Sequence, residues 1–302
     1  MSSSPDLTAA TPSRFTPASL LPVVFVVLWS SGFIGAKLGL PHAEPMTFLG
    51  LRFTIVTAMM GAVSLVTGAR WPGTWREALH IGVAGALLQG VYLGGVYFGI
   101  SRGVGAGVSA LIVGLQPILT AALVPRFLGE RVSARQWLGF VLGLLGVVLV
   151  VTSRLGLDVG HLWGVVATVG GLGGVTLGTL YQKRFCLNMD LRTGATIQNA
   201  VNAALTLTGA FLFEDRTIDW TPSFVFALAW LVVPLSVGAV LLLYRLLRRG
   251  TATRVMSVFY LVPPTTALMA YAVFGERLNA VALLGMAVAV AGVALVMRGG
   301  RR

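Results

Sequence analysis

Polar and aromatic side chains are scattered through long apolar stretches of this 302-residue chain, and they are the first candidates for chemistry. They carry hydroxyl, amide, phenol and indole groups, which bind small molecules by hydrogen bonding and stacking. Because amide side chains are costly to expose to lipid, we expect the Gln and Asn residues to face inward. The candidates for a substrate path are Trp29, Ser30, Ser31, Gln89, Tyr92, Tyr97, Gln116, Tyr181, Asn199, Asn202, Tyr244 and Tyr260.

Catalytic and metal chemistry find little support in the same sequence. The chain contains neither a G-x-S-x-G nor an H-E-x-x-H motif. Its histidines, His42, His80 and His161, lie near predicted helix ends, and the single cysteine, Cys186, excludes an intrachain disulfide and a cysteine metal site. We therefore predict no metal, no cofactor and no enzymatic activity. An intramembrane enzyme is kept only as an alternative, which the lack of carboxylates in the apolar runs disfavours.

Composition indicates where those candidates must sit. Apolar residues make up 56% of the chain and charged residues 11%, whereas a soluble domain has about a quarter of its residues charged. Ten charge-free runs result: 15–36, 53–69, 78–101, 103–125, 136–153, 159–182, 193–213, 220–244, 255–275 and 278–297. Since about 20 apolar residues span a bilayer, we predict an all-α membrane protein of ten transmembrane helices. Residues 1–19, rich in Ser, Thr and Pro, are predicted to be a disordered cytoplasmic tail.

The basic residues predict an orientation. If the N-terminus is cytoplasmic, the inner segments carry 16 Lys and Arg residues and the outer segments carry five. This asymmetry satisfies the positive-inside rule, so we expect both termini of this multi-pass protein to be cytoplasmic. The net charge of +12 then reflects topology, and the expected partners are the lipid bilayer and a small solute but no nucleic acid.

An internal repeat divides the chain at an offset of 146 residues. Gly129-Glu130-Arg131 aligns with Gly275-Glu276-Arg277, and Pro117 aligns with Pro263. Each repeat, 20–155 and 156–302, holds five predicted helices, and an odd number of crossings starts the second copy on the opposite side of the membrane. Inverted repeats of this kind are typical of secondary transporters, whose substrate site lies between the halves.

Prolines occupy the middle of the fourth and ninth predicted helices, at Pro117 and at Pro263-Pro264. A mid-helix proline removes a backbone hydrogen bond and kinks the helix. Matching interruptions in two inverted halves favour a cavity or hinge at these positions. A static packing kink is the alternative.

Charged residues near the spans have several interpretations. Arg52 lies about two turns into the second helix, where a guanidinium costs at least ~2.5 kcal/mol in lipid; it either faces a partner or water, or extends to the outer headgroups. Lys37 and Lys183 are expected to anchor helix ends at the interface. The Glu130-Arg131 and Glu276-Arg277 turns are expected to cap and orient the helices that follow them.

Small residues recur on the fifth and tenth helices at equal spacing. They are Gly139, Gly143 and Gly146 in the first repeat and Gly285, Ala289 and Gly292 in the second. This spacing predicts close helix packing within the chain.

The repeat with its shared residues resembles the drug/metabolite transporter superfamily, specifically the EamA-type members. The resemblance covers about residues 20–298 and is carried by Trp29, Leu51-Arg52-Phe53, Pro117, Gly129-Glu130-Arg131, Gly139, Gly146, Pro263, Gly275-Glu276-Arg277, Gly285 and Gly292. One departure is Gln198, where the repeat would place an arginine opposite Arg52. Within the superfamily the chain is similar to the YddG-type exporters of aromatic and other amino acids.

The resemblance implies a secondary exporter of aromatic and other neutral amino acids with broad specificity, working by alternating access. The alternatives are an exporter of drugs or other small metabolites, and a channel or lipid scramblase, which explains the inverted repeat less well. We expect a monomer to suffice, with a dimer as the alternative. Because no Asp or Glu lies in the apolar runs, we predict transport down the solute's own gradient without an obligatory ion.

Overall fold

Ten helical segments, numbered α1 to α10 in chain order, make up the computed structural model, which describes residues 17–128, 133–152, 159–239, 242, 259–277 and 279–299. Six are continuous: α1 (Pro17–Gly39), α2 (Pro45–Val66), α5 (Ala134–Thr152), α6 (Val159–Phe185), α7 (Leu191–Phe213) and α10 (Ala280–Gly299). The all-α fold of ten helices is confirmed.

The other four helices change geometry along their length. A π-helical turn, Ala86–Val91, separates Trp75–Gly85 from Tyr92–Ser101 in α3, and α4 is broken into Ala106–Val113 and Gln116–Leu128. The α8 helix runs from Pro222–Trp230 into a π-helical segment, Leu231–Ala239, and a 3₁₀ turn, Phe259–Leu261, precedes Val262–Phe274 in α9. The interruptions therefore fall in the third and fourth helices of both repeats.

Length and composition make much of this bundle suited to a membrane. Within the described residues, four stretches are long and apolar enough to cross a bilayer: Leu21–Gly39, Pro45–Val66, Trp75–Ser101 and Val159–Phe185. Shorter apolar helices are Ala106–Thr120, Trp137–Val150, Pro222–Ser236, Val262–Phe274 and Ala280–Leu295. Large apolar side chains such as Leu205, Phe211 and Leu283 are exposed, and such a surface is stable against hydrocarbon.

Helix pairing follows the repeat. The α2 helix packs on α7, α4 on α9, and α5 on α10, so that each contacts its own counterpart in the other repeat. The contact of α1 with α8 is matched by that of α6 with α3, and the contact of α1 with α9 by that of α6 with α4. This reciprocal pattern is the one that a twofold axis between two copies produces.

Small residues fix the direction of that axis at the α5–α10 contact. A Cβ atom on Gly292 would lie 2.6 Å from the carbonyl oxygen of Gly139, and one on Gly285 would lie 2.7 Å from that of Gly146. Since Gly285 and Gly292 correspond to Gly139 and Gly146, the two helices run antiparallel and the repeats are inverted. The predicted small-residue faces are confirmed as contacts within the chain.

Acidic residues connect α2 to α7 at both ends. At one end Glu214 accepts hydrogen bonds from the backbone amides of Met46 and Thr47, at 2.7 Å each. At the other end Asp190 caps α7 and accepts from the amide of Arg70 at 3.3 Å. Hydrogen bonds from Arg192 hold the pKa of Asp190 well below its usual range, so this cap is charged at neutral pH.

Several predicted features lie outside the described residues. They are the tail before Pro17, the boundary at 155–156 and the Gly129-Glu130-Arg131 turn. The α1 helix begins at Pro17, within the stretch assigned to the tail. Cys186, directly after α6, is buried against Ile81 and Ala84, as a small apolar group would be.

Candidate substrate site at the repeat interface

The Arg52 side chain is buried inside the bundle, with 7% of its surface exposed. Its Nη1 atom donates to the Tyr97 hydroxyl at 3.1 Å, and its Nη2 atom approaches the Ser236 hydroxyl at 3.5 Å. Pro222 is the first residue of α8, and Ser236 lies about four turns along this helix from it. The guanidinium therefore points away from the outer headgroups, and of the two interpretations of Arg52 the structure favours a partner inside the protein.

Around Arg52 the neighbouring groups are neutral. Tyr97 is 1% exposed and its ring packs against Phe48, with ring centres 5.4 Å apart. Tyr92, also on α3, is half-buried and packs against the main apolar core. The ion pairs among the described residues join Lys37 to Glu276 and Arg192 to Asp190, so Arg52 has no carboxylate partner there.

An amide cluster occupies the corresponding position in the second repeat. Gln198, which aligns with Arg52, is 6% exposed on α7. Its Nε2 atom donates to Gln182 on α6 at 2.7 Å, and its Oε1 atom accepts from Gln89 on α3 at 3.4 Å. The buried polar centre formed by Arg52, Tyr97 and Ser236 therefore has a polar but neutral counterpart at the aligned position of the second repeat.

The two π-helical segments contribute directly to these clusters. Gln89 lies in the π turn of α3 and Ser236 in the π segment of α8. At the 146-residue offset the turn 86–91 falls on 232–237, so both repeats place the irregular backbone at the same point. Such π turns are rare and occur frequently at functional sites. Each one faces the polar residue of the opposite repeat, since Gln89 meets Gln198 and Ser236 meets Arg52.

Glycines let α7 approach the π turn of α3. A Cβ atom on Gly85 would lie 2.7 Å from the Cα atom of Gln198, and one on Gly90 would lie 2.5 Å from Asn202 Oδ1. The Asn202 amide nitrogen donates to the Gly85 carbonyl at 2.9 Å, whereas its Oδ1 atom has no hydrogen-bond partner in the described part of the chain.

The three prolines that the sequence singled out, Pro117, Pro263 and Pro264, lie in the first turns of α-helical segments. Their role as a cavity or hinge stays a prediction. The first half of α4 ends at Val113, and Pro117 lies in the first turn of the second half. Pro263 and Pro264 lie in the first turn of α9. At these positions the missing N–H would be unpaired in any case, so proline fits without strain. A small crevice borders Pro263, Gly114 and Val293.

The remaining candidates are distributed around this centre. Trp29 packs against Phe25 and Phe259, with ring centres 5.5 and 5.4 Å away. The Ser30 hydroxyl donates to the Val262 carbonyl at 3.3 Å, next to the start of α9. Gln116 donates to the Thr179 hydroxyl at 3.0 Å and so connects α4 to α6.

Other candidates are not brought to the centre. The Tyr181 hydroxyl meets His80 Nδ1 at 2.7 Å near the end of α6, and Asn199 donates to the carbonyl of Ala195 on its own helix. Tyr244 and the side chain of Tyr260 lie outside the described residues.

Sequence reasoning missed Ser236 and Gln182, and treated Gln198 only as a departure from the repeat. The repeat register identifies Gln198 as the equivalent of Arg52, and this signal was available. Pro234, inside the π segment of α8 and two residues before Ser236, is the sequence signal that could have identified Ser236.

Lys37, at the end of α1, forms an ion pair with Glu276, and its anchoring at the membrane interface stays a prediction. The same carboxylate oxygen of Glu276 lies 3.4 Å from the amide of Ala106 at the start of α4. The charged turn after α9 therefore connects α1 to α4, in addition to preceding α10.

Comparison with known proteins gives matches along nearly the whole chain. Residues 16–152 and 160–298 each match the model of the EamA-like transporter family. The uncharacterized inner membrane transporter YedA of Escherichia coli (strain K12) is 25% identical over 90% of this chain and 88% of its own. One solved protein structure superposes with a TM-score of 0.64 at 21% identity, covering 92% of this chain and 95% of that chain, which supports the fold.

Two further relatives have more specific names. The "Probable amino-acid metabolite efflux pump" of Salmonella typhimurium is 25% identical over 90% of this chain and 92% of its own. The "Probable terminal-alkyne amino-acid exporter" of Streptantibioticus cattleyicolor is 27% identical over 91% of this chain and 92% of its own. With the family matched twice, once in each inverted repeat, this chain belongs to the EamA-like transporter family.

Proposed function

We infer that this member of the family exports amino acids, aromatic and other neutral ones with broad specificity, across a bacterial inner membrane by alternating access. The observation that carries the inference is the buried polar centre in which Arg52, Tyr97 and Ser236 of two different repeats meet. Polar groups at membrane depth are costly and mark solute paths, and the interface of inverted repeats is where secondary transporters bind solute.

The chemistry of the centre suits a neutral amino acid. A guanidinium, phenol rings and amides can bind a carboxylate and pack on an apolar or aromatic side chain. The described membrane-spanning parts offer no carboxylate near this centre that would hold a cationic side chain. Two relatives carry names for amino-acid efflux or export, which supports this substrate class over drugs or other metabolites.

An orientation with both termini in the cytoplasm is part of this proposal, whereas the solute gradient sets the direction of net transport. A single cysteine introduced in the loop 41–44, in a Cys186→Ala background, should react with an impermeant maleimide in intact cells. Reaction only after permeabilisation would reverse the orientation. Burial raises the pKa of the Cys186 thiol, so wild-type protein serves as a control with little labelling of its own.

Counterflow in liposomes tests the function. Purified protein is reconstituted with unlabelled phenylalanine or threonine inside, and uptake of the labelled amino acid is measured against protein-free liposomes. A carrier shows uptake that depends on internal amino acid, whereas a channel does not. Absence of exchange for every amino acid, together with exchange of a drug or another metabolite, would refute amino-acid export.

A further inference from the structure

The charge of Arg52 has no anionic partner among the described residues, although Arg52 is buried in the apolar, membrane-spanning helix α2. Its side chain is 93% buried, its hydrogen-bond partners are two neutral hydroxyls, and no carboxylate of the described residues pairs with it. Removing a guanidinium from water costs several kcal/mol unless an anion compensates it. The protein thus holds a buried positive charge that an anionic group of a ligand can neutralise.

Unused hydrogen-bond donors converge at this position. Arg52 uses one N–H on Tyr97 and one on Ser236, which leaves other donors of its planar fork free. The Tyr97 oxygen accepts from Arg52, so its own O–H remains available to donate. The Ser236 hydroxyl is already engaged, since it donates to the Leu231 carbonyl at 2.9 Å. Free donors without free acceptors match a carboxylate, which binds a guanidinium in a bidentate manner.

The equivalent position in the other repeat does not duplicate this arrangement. Gln198 is neutral, its Nε2 atom is taken by Gln182 and its Oε1 atom faces Gln89. Of the two aligned residues, Arg52 in the first repeat therefore offers a position for an anion and Gln198 does not. A solute with one carboxylate fits this asymmetry, whereas a dicarboxylate would leave its second charge unmatched.

We propose that Arg52, with the hydroxyl of Tyr97, is the specificity-determining carboxylate anchor of the transport site, and that the substrates are monocarboxylates with neutral side chains. This proposal rests on the function inferred above and makes it more specific. The carboxylate is required for recognition. The α-ammonium group contributes less, because no anionic side chain faces it from the described spans.

Competition in counterflow tests the anchor on wild-type protein. Exchange of labelled phenylalanine is challenged with 3-phenylpropionate, which keeps the carboxylate and lacks the amine, and with phenylalaninamide, which keeps the amine and lacks the carboxylate. We expect phenylpropionate to compete at least about tenfold better than the amide, the ratio that one charge-assisted hydrogen bond provides. Equal competition, or better competition by the amide, would overturn the proposal and leave amino-acid export intact.

Variants then test whether Arg52 and Tyr97 cause the preference for phenylpropionate. Arg52→Gln should lower phenylalanine exchange at least about tenfold and abolish the preference for phenylpropionate, and Tyr97→Phe should weaken the preference without abolishing it. Arg102→Gln, which changes an exposed arginine near the end of α3, is the matched control and should behave as wild type. Retention of the full preference in Arg52→Gln would refute the assignment.

Two further outcomes separate this proposal from the proposed function. Exchange of phenylpropionate without exchange of any amino acid would refute amino-acid export while supporting the anchor. If Arg52→Gln does not yield monodisperse protein, Tyr97→Phe and the wild-type competition decide the question.

Discussion

Removing the charge of Glu276 should weaken the contact of α1 with the predicted outer ends of α4 and α9. Glu276 pairs with Lys37 and approaches the amide of Ala106, so one carboxylate holds three helices at one face of the bundle. The Lys37 ammonium also lies over the Phe274 ring, with Nζ 4.9 Å from its centre. In Glu276→Gln the Lys37 ammonium keeps only the Phe274 ring and water as its partners.

The size of the effect follows from the exposure of the two side chains, which is 31% for Lys37 and 11% for Glu276. Exposed ion pairs contribute about 0.2–1 kcal/mol, and breaking a fully buried pair costs about 3–5 kcal/mol. Because Lys37 is about one-third exposed, its pair with Glu276 belongs between these limits. We therefore expect a coupling free energy of about 1–2 kcal/mol after allowing for solvent screening.

A double-mutant cycle isolates that coupling. Thermal unfolding of purified protein is compared for wild type, Lys37→Ala, Glu276→Gln and the double variant. Each kcal/mol should lower the Tm by roughly 2–4 °C or slightly less in a chain of this size, and the double variant should be less destabilised than the sum of the single variants. Additive effects within about 0.3–0.5 kcal/mol would refute the reasoning that the pair stabilises the outer ends. The charge-swapped variant, Lys37→Glu with Glu276→Lys, should recover part of the loss.

Three other predictions address packing, the interrupted helices and coupling. Gly292→Ala should lower the free energy of unfolding by about 1–3 kcal/mol, because its Cβ would lie 2.6 Å from two backbone atoms of α5. The control Gly170→Ala, whose Cβ meets nothing within 4 Å, should not lower the Tm. Equal Tm values for the two variants would contradict the packing argument. Pro117→Ala and Pro263→Ala should fold and change the counterflow rate, whereas wild-type rates in both would make the prolines packing features only. In liposomes with equal pH and no sodium on either side, labelled phenylalanine should exchange; exchange only under an imposed ion gradient would refute uncoupled transport.

Features that depend on composition and on short spacings were predictable from the sequence. Ten charge-free runs predict ten helices, because the free energy of transferring a segment into lipid is the sum of the contributions of its residues. The 146-residue offset with an odd helix count predicts inversion, which the reciprocal approach of Gly292 to Gly139 and Gly285 to Gly146 supports. Small residues at helical spacing predict a packing face because that spacing keeps them on one side of a helix.

The site depended on quantities that no local pattern contains. Whether Arg52 faces Ser236 or the headgroups is decided by the rotation of α2 about its axis, which its neighbours set. The partners Lys37 and Glu276 are 239 residues apart, and the pairing requires the ends of α1 and α9 to meet.

The prolines show the same division between sequence and tertiary structure. Their missing backbone donors, visible in the sequence, predict an interruption of the fourth and ninth helices. Only the tertiary structure decides that α-helical segments start at Gln116 and Val262, one residue before Pro117 and Pro263. It also decides that π turns bring Gln89 to Gln198 and Ser236 to Arg52. The physical reason is that hydropathy belongs to each segment alone, whereas a binding site depends on the relative rotation and depth of helices from both repeats.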